Sequence, residues 1–196
     1  MVNGNRAVAE RAEVGAARSR PSGSWDGGRH LTTPVTPRIR LAIGADAPLL
    51  AELRYEFRTA LAPEVEPETG FRERCAAWMA ARLSESAAWR CWLAESEAGA
   101  PLGMVWVQFL EKLPNPVHES EVHAYLTSFY VRPAARNQGV GSALMDTALR
   151  ACAARGSDAV FLWPTPRSRA LYARHGFTER GGMLERRAEQ EAPPHD

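Results

Sequence analysis

The stretch from Tyr125 to Met145 constrains this chain more than any other. β-Branched and aromatic residues run up to Val131 and stop at Arg132-Pro133. Proline donates no N–H to a ladder and biases the residue before it away from helix, so an extended strand ends there. Beyond Gly141, residues Ala143, Leu144, Ala148, Leu149 and Cys152 recur at helical spacing. That periodicity predicts a helix to about Arg155, with Gly156 as its stop. The junction is therefore strand, short loop, helix, with Gly139 and Gly141 at the helix start.

Such a junction suits anion binding. The first N–H groups of a helix have no intrahelical partner, and the macrodipole puts partial positive charge at the same end. Glycines there leave out the Cβ atoms that hold a ligand off the backbone, and Arg136 adds a charge in the same turn. Taken alone, Gly139-Val-Gly141 is read more economically as an ordinary connection with glycines for its turn.

The surrounding pattern shifts that balance. Arg136-x-x-Gly139-x-Gly141, after a strand closing on Val131-Arg-Pro133, resembles motif A of the GNAT superfamily of acyl-CoA-dependent N-acyltransferases. The family signature is Gln/Arg-x-x-Gly-x-Gly/Ala, and each defined position is matched. Further on, Leu171-Tyr172-Ala-Arg-His-Gly176-Phe177 is similar to the family's late Leu-Tyr-x-x-x-Gly-Phe element. The two motifs stand in the family's order, and the resemblance spans roughly residues 37–187.

Composition narrows the alternatives. A chain of 196 residues suits one domain with a sizeable core. A formal net charge of +1, with Arg and Glu interspersed, gives no argument for nucleic acid or an anionic membrane as partner. Cys75, Cys91 and Cys152 lack metal-ligand spacing and read as free thiols, Cys152 on the apolar side of its helix. No metal site is expected. No apolar run is long enough to span a membrane and the N-terminus has no apolar leader core, so a cytoplasmic protein is expected.

Residues 1–37 are rich in Ala, Arg, Gly, Ser and Pro and are expected to form a disordered tail. The folded domain is expected over residues 38–187, with a flexible tail over 188–196. Within it, residues 38–43 alternate as a first strand, and Asp46 is a plausible N-cap for a helix over 47–61 with Pro48 in its first turn. That helix would bury Leu49, Leu50, Leu53, Phe57 and Leu61. A loop over 63–70 leads to a second helix over 71–83. Strands follow at 89–94 and 102–110, joined by a turn at 96–101, and then the central strand at 121–131. After the helix at Gly141, residues 159–163 read as a strand buried on both faces. Residues 168–175 read as a helix, and 177–180 and 183–187 as short closing strands. Three strands followed by alternating helix and strand give an α/β domain with a mixed sheet. The resemblance implies the same: a three-layer α/β/α fold whose central sheet splays open to admit the pantetheine arm.

What the resemblance implies about chemistry is acetyl transfer from acetyl-CoA to an amine by direct attack. Main-chain groups of Phe129, Tyr130 and Val131 would face the pantetheine arm, and an N–H near Phe129 would polarise the thioester. Arg136 and the amides of Asn137, Gln138, Gly139, Val140, Gly141 and Ser142 would hold the diphosphate. Tyr172 would be the general acid; a phenol is neutral at pH 7 and has a proton to give. Thr165 stands where many relatives carry an asparagine that bonds the cofactor arm. For the base, Tyr125 with a water comes first, and Glu121 or His123 acting through a water chain comes next. These residues and Thr127 alternate along the central strand and would share one face.

The loops expected to rim the acceptor pocket carry Glu64, Glu66, Glu68, Glu111, Glu119 and Glu121, with Lys112 as the main opposing charge. A negative mouth would favour a protonated amine over an anionic acceptor. Trp106 and Phe109 are candidates for an apolar wall. A non-catalytic acyl-CoA-binding sensor of the same fold is the alternative. A phosphate-binding nucleotide domain is disfavoured, since no Lys-Ser/Thr follows Gly141. The resemblance leaves a homodimer open.

Overall fold

In the computed structural model, residues 36–62 and 66–179 are described. The expectations for the N-terminal tail, for Glu64 and for the segments beyond Glu179 therefore lie outside the described residues.

A five-stranded sheet forms the middle layer, in the order β1-β2-β3-β4-β5. β1 (Arg38–Leu41), β2 (Trp89–Glu95), β3 (Pro101–Glu111) and β4 (Val122–Val131) pair antiparallel in sequence order. β5 (Ala159–Phe161) pairs parallel with the start of β4. A parallel step needs a crossover, and α3 (Val140–Ala154) supplies it. On the other face lie α1 (Ala47–Thr59) and α2 (Glu68–Glu85); the short α4 (Arg169–Arg174) follows β5. The architecture is α/β/α with a mixed, open sheet.

Alternation along the strands sends two sets of side chains to two cores. Ala94, Val105, Val107, Ala124 and Leu126 meet Val140, Leu144, Met145, Ala148 and Cys152 of α3. Cys91, Leu93, Met104 and Trp106 meet Leu50, Ala51, Leu53 and Met79 of the α1–α2 face. Leu50, Leu53 and Leu144 are fully buried, so truncating any one to Ala costs about 2–5 kcal/mol.

Several sequence expectations are revised. α1 ends at Thr59, leaving Leu61 half exposed, and α2 begins earlier, at Glu68. Asp46 does precede α1, but its carboxylate accepts from Arg40 at 2.7 and 2.8 Å and from the Ile43 amide instead of capping the helix. β1 stops at Leu41, and β5 is only three residues long. Its apolar run reads as a doubly buried strand, yet Trp163 is 55% exposed, because β5 leaves the sheet before reaching it. Trp106 and Phe109, three residues apart, fall on opposite faces, so they build no common wall.

Candidate functional site

The site begins with a counting mismatch between β3 and β4. Met104 pairs with Tyr130 and Trp106 with Thr127, so two steps on β3 face three on β4. The extra residue is accommodated at Ser128, whose φ of 49° lies in the left-handed region. This bulge inverts the alternation of side chains. Before it, Ala124 and Leu126 face α3; after it, Phe129 and Val131 do, while Tyr130 turns to the α1 side.

The bulge also fixes which main-chain groups are available. The Arg132 N–H donates to Leu102 O at 2.9 Å, directing Arg132 and, two residues back, Tyr130 to β3. By the same alternation Phe129 and Val131 direct their N–H and C=O to the opposite edge. β5 pairs with β4 only at His123, Ala124 and Tyr125, so beyond Tyr125 that edge has no strand beside it among the described residues. A cleft opens there. Phe129 and Val131 turn their main-chain groups to this edge, but Tyr130 does not: its main chain is committed to β3, and its phenol donates to Glu56 Oε2 at 3.2 Å.

Across the cleft lies the start of α3. Asn137 and Gly139 have φ of 61° and 82°, and these two left-handed residues turn the loop so that α3 begins at Val140. The first amide of this region with a main-chain acceptor is Ala143, bonded to Gly139 O at 3.0 Å. None of the amides from Asn137 to Ser142 has a protein acceptor among the described residues. Six consecutive donors at the positive end of a 15-residue helix form an anion cradle. Arg136 flanks it: its Nε donates to Val131 O at 2.9 Å, and its guanidinium lies over the Tyr130 ring. Gln138 instead turns its side chain back to Ala134 O. The two glycines do different jobs. Gly139 has open space where a Cβ would stand and needs glycine for its φ; a Cβ on Gly141 would rest 3.6–3.7 Å from Leu171 and Phe129, an ordinary contact.

Tyr172 of α4 closes the α3 side of the cleft. It is buried beside Phe129, ring centres 6.1 Å apart, and beside Phe177 at 5.7 Å. Burial pushes its phenol above the ordinary tyrosine value, with the Ser168 hydroxyl opposing, so the group holds its proton at neutral pH. Thr165 has a local role: its hydroxyl lies 2.9 Å from Ser168 Oγ, which also accepts from the Thr165 amide, and together they cap the turn before α4.

The α1–α2 side of the cleft is aromatic. Tyr125 stacks on Phe161 at 5.5 Å and meets the edge of Trp163 at 4.9 Å; His123 packs on Phe161. Tyr125 and His123 thus share a face, as the alternation predicts. His123 is engaged with Asp158 at 3.4 Å. Glu121 precedes β4 and is exposed. It lies eight positions before Phe129, roughly 26 Å along an extended strand, so only a chain of waters would link the two.

Two features of this side carry no readable signal in sequence. One is the bulge, because it depends on the register between two strands. The other is Arg54 of α1, half-buried, whose Nη1 donates to Ser128 Oγ at 3.0 Å. Its helical position was legible, its contact with the bulge was not. The negative mouth is also partly neutralised. Glu66 pairs with Arg74, Glu68 with Arg72, and Glu119 with Lys112 and Asn115. These pairs hold Glu66 and Glu119 below the usual carboxylate range.

Comparison with known proteins agrees with this geometry. A family model described as the acetyltransferase (GNAT) family matches residues 50–177. Among solved structures, a GCN5-related N-acetyltransferase from Ralstonia eutropha is 27% identical, with 78% of this chain and 99% of that one covered at a TM-score of 0.65. A predicted acetyltransferase with acetyl-CoA from Clostridium acetobutylicum is 20% identical, covering 77% and 96% at a TM-score of 0.64. Glucosamine-6-phosphate N-acetyltransferase from Arabidopsis thaliana is 14% identical, covering 79% and 99% at 0.58. The latter two are similar in fold alone. No curated protein matches the chain by sequence.

Proposed function

Because the chain belongs to the GNAT acetyltransferase family, we propose that it transfers an acetyl group from acetyl-CoA to a primary amine. The observation that carries this reading is the row of six amides without acceptors at the start of α3, facing a β4 edge that has lost its neighbour. A diphosphate is the anion that matches a row of convergent N–H groups at a helix start. The cradle thus fits the phosphate end of acetyl-CoA, and the open edge of β4 fits its peptide-like arm.

Each residue then has a task. The amides of residues 137–142 and Arg136 hold the diphosphate. The main-chain groups of Phe129 and Val131 hold the arm, and the Phe129 N–H donates to the thioester oxygen as it gains charge. Tyr125 orients a water that takes the ammonium proton, leaving the amine lone pair free to form the C–N bond. Tyr172, kept protonated by burial, gives its proton to the thiolate as the C–S bond breaks. Glu121 or His123, acting through a chain of waters, is the second candidate for the base. No helix among the described residues is long and apolar enough to cross a membrane, and the acceptor amine is proposed to arrive from solution.

The test is turnover of acetyl-CoA with a panel of primary amines, for wild type and Tyr172→Phe. Loss of the phenol proton is expected to lower kcat about 10²- to 10⁴-fold while acetyl-CoA affinity holds. Full turnover by the phenylalanine variant removes Tyr172 from the mechanism. Acetyl-CoA binding without turnover on any amine supports the sensor reading instead.

A further inference from the structure

Several partly buried arginines lack a carboxylate partner among the described residues. Arg90 is held by the carbonyls of Ser86 and Trp89, Arg136 by that of Val131, and Arg82 lies over Trp78; Arg54 alone of these reaches the β4 bulge. Arg40 is held by Asp46 and Glu95, Arg72 by Glu52 and Glu68, Arg74 by Glu66, and Arg132 by Glu52 and Glu56. Arg54 has no carboxylate partner among the described residues. Its side-chain hydrogen bond goes to the Ser128 hydroxyl, and its guanidinium lies 5.7 Å from the Phe57 ring centre. The nearest acids on its own helix, Glu52 and Glu56, are turned to Arg132 at 2.6 Å each.

The charged and titratable groups that Arg54 feels are Arg58, one turn on along α1, Cys75 of α2 and Tyr125 of β4. Two arginines four residues apart repel. Burial and Arg58 together lower the Arg54 pKa, yet a guanidinium does not give up its proton near neutral pH. A half-buried cation with one neutral partner is unfavourable until an anion arrives.

Its position fixes where an anion would lie. Ser128 adjoins Phe129, whose N–H faces the cleft, so Arg54 reaches the bulge from the α1 side, opposite Tyr172. Tyr125, Phe161 and Trp163 form an aromatic surface on that same side. Trp106, the register partner of Thr127, packs instead against Trp78 and Trp89.

We infer that the acceptor amine also carries a carboxylate, and that Arg54 binds this carboxylate at the β4 bulge. The inference rests on the acetyltransferase reading and narrows its substrate to amino acids and related amino-carboxylates. The planar fork of one guanidinium matches the two oxygens of a carboxylate. Among the described residues, no second amide cradle like that of α3 stands beside Arg54 to favour a phosphate. The sequence expectation of a negative acceptor mouth is weakened, since three of its six carboxylates are paired.

The experiment compares L-amino acids with their α-carboxamides, which keep the amine and side chain but lose the charge. For wild type, kcat/KM is expected to be about 10- to 100-fold higher for the acid of each accepted pair. Arg54→Gln is expected to bring that ratio near one, and Arg54→Lys to keep part of it. An unchanged acetyl-CoA Kd in both variants shows that they fold. Calorimetry on the wild-type CoA complex adds a readout without turnover: N-acetyl-L-amino acids are expected to bind more tightly than their amides. Acetyl-CoA binding with no preference for acids in either assay, or a preference that Arg54→Gln leaves intact, overturns the inference and spares the acetyltransferase reading. Absence of acetyl-CoA binding overturns both.

Discussion

Replacing Gly139 and Gly141 by alanine, one at a time, separates two roles that the motif presents as one. Gly139 has a φ of 82° and nothing within 4 Å of a built Cβ. The cost of alanine there is backbone strain alone, about 1–2 kcal/mol for an L-residue held left-handed. For a chain of this size that is roughly 2–8 °C in Tm. If the loop relaxes to escape the strain, the amides of residues 137–142 lose their common aim, and the same 1–2 kcal/mol weakens CoA binding about 5- to 30-fold. Gly141 lies inside α3, and its Cβ would meet Leu171 and Phe129 at ordinary contact distance. Alanine there gains helix propensity, up to about 1 kcal/mol, and points its methyl at protein, not at the cradle. Gly141→Ala is thus expected to be at least as stable as wild type, with CoA affinity nearly unchanged. Thermal melts and CoA calorimetry on both variants decide the matter. A Gly139→Ala variant that melts and binds like wild type refutes the strain argument, and a Gly141→Ala variant that loses CoA binding refutes the geometric one.

Asp46 is held below the ordinary aspartate value, chiefly by its hydrogen bonds to Arg40, which also ties β1 to Glu95 of β2. Depression in the folded state means this stabilisation is present above the unfolded-state pKa of about 3.9 and is lost as pH falls through the folded value. Asp46→Asn is expected to cost about 1–3 kcal/mol near pH 7, a gap that narrows below about pH 4 in urea melts; a gap independent of pH contradicts this. Cys91 and Cys152 are fully buried, and burial pushes the Cys152 thiol up to about 11. Both are expected to resist iodoacetamide at pH 8 in the folded protein and to react in urea; native labelling of Cys152 shows that the α3 core is open.

Much of this molecule is legible in its sequence because the informative signals are local. Pro133 stops β4 after Val131, the apolar spacing beyond Gly141 marks α3, and Pro48 does fall in the first turn of α1. These depend on residues a few positions apart. The site is less legible where it depends on partners distant in sequence. Tyr130 belongs on the cleft by its neighbours in sequence, but the bulge at Ser128 and the register with Met104 turn it toward β3 and Glu56. Thr165 sits at the expected place, yet Ser168 holds its hydroxyl. The glutamates of the rim read as a negative field until Arg72, Arg74 and Lys112 are found beside them. Arg54 is legible only as a position on a helix, because what matters about it is the contact with Ser128, 74 residues away.

The most direct test of the account is calorimetry of the full chain with CoA, with dephospho-CoA, which keeps the diphosphate, and with pantetheine, which keeps the arm and thiol but has no phosphate. If the α3 amides grip the diphosphate, CoA and dephospho-CoA bind alike and pantetheine binds about 10²- to 10⁴-fold more weakly, the loss of two charge-assisted hydrogen bonds or more. Equal affinity for pantetheine, or no heat with CoA, contradicts the assignment of that cradle.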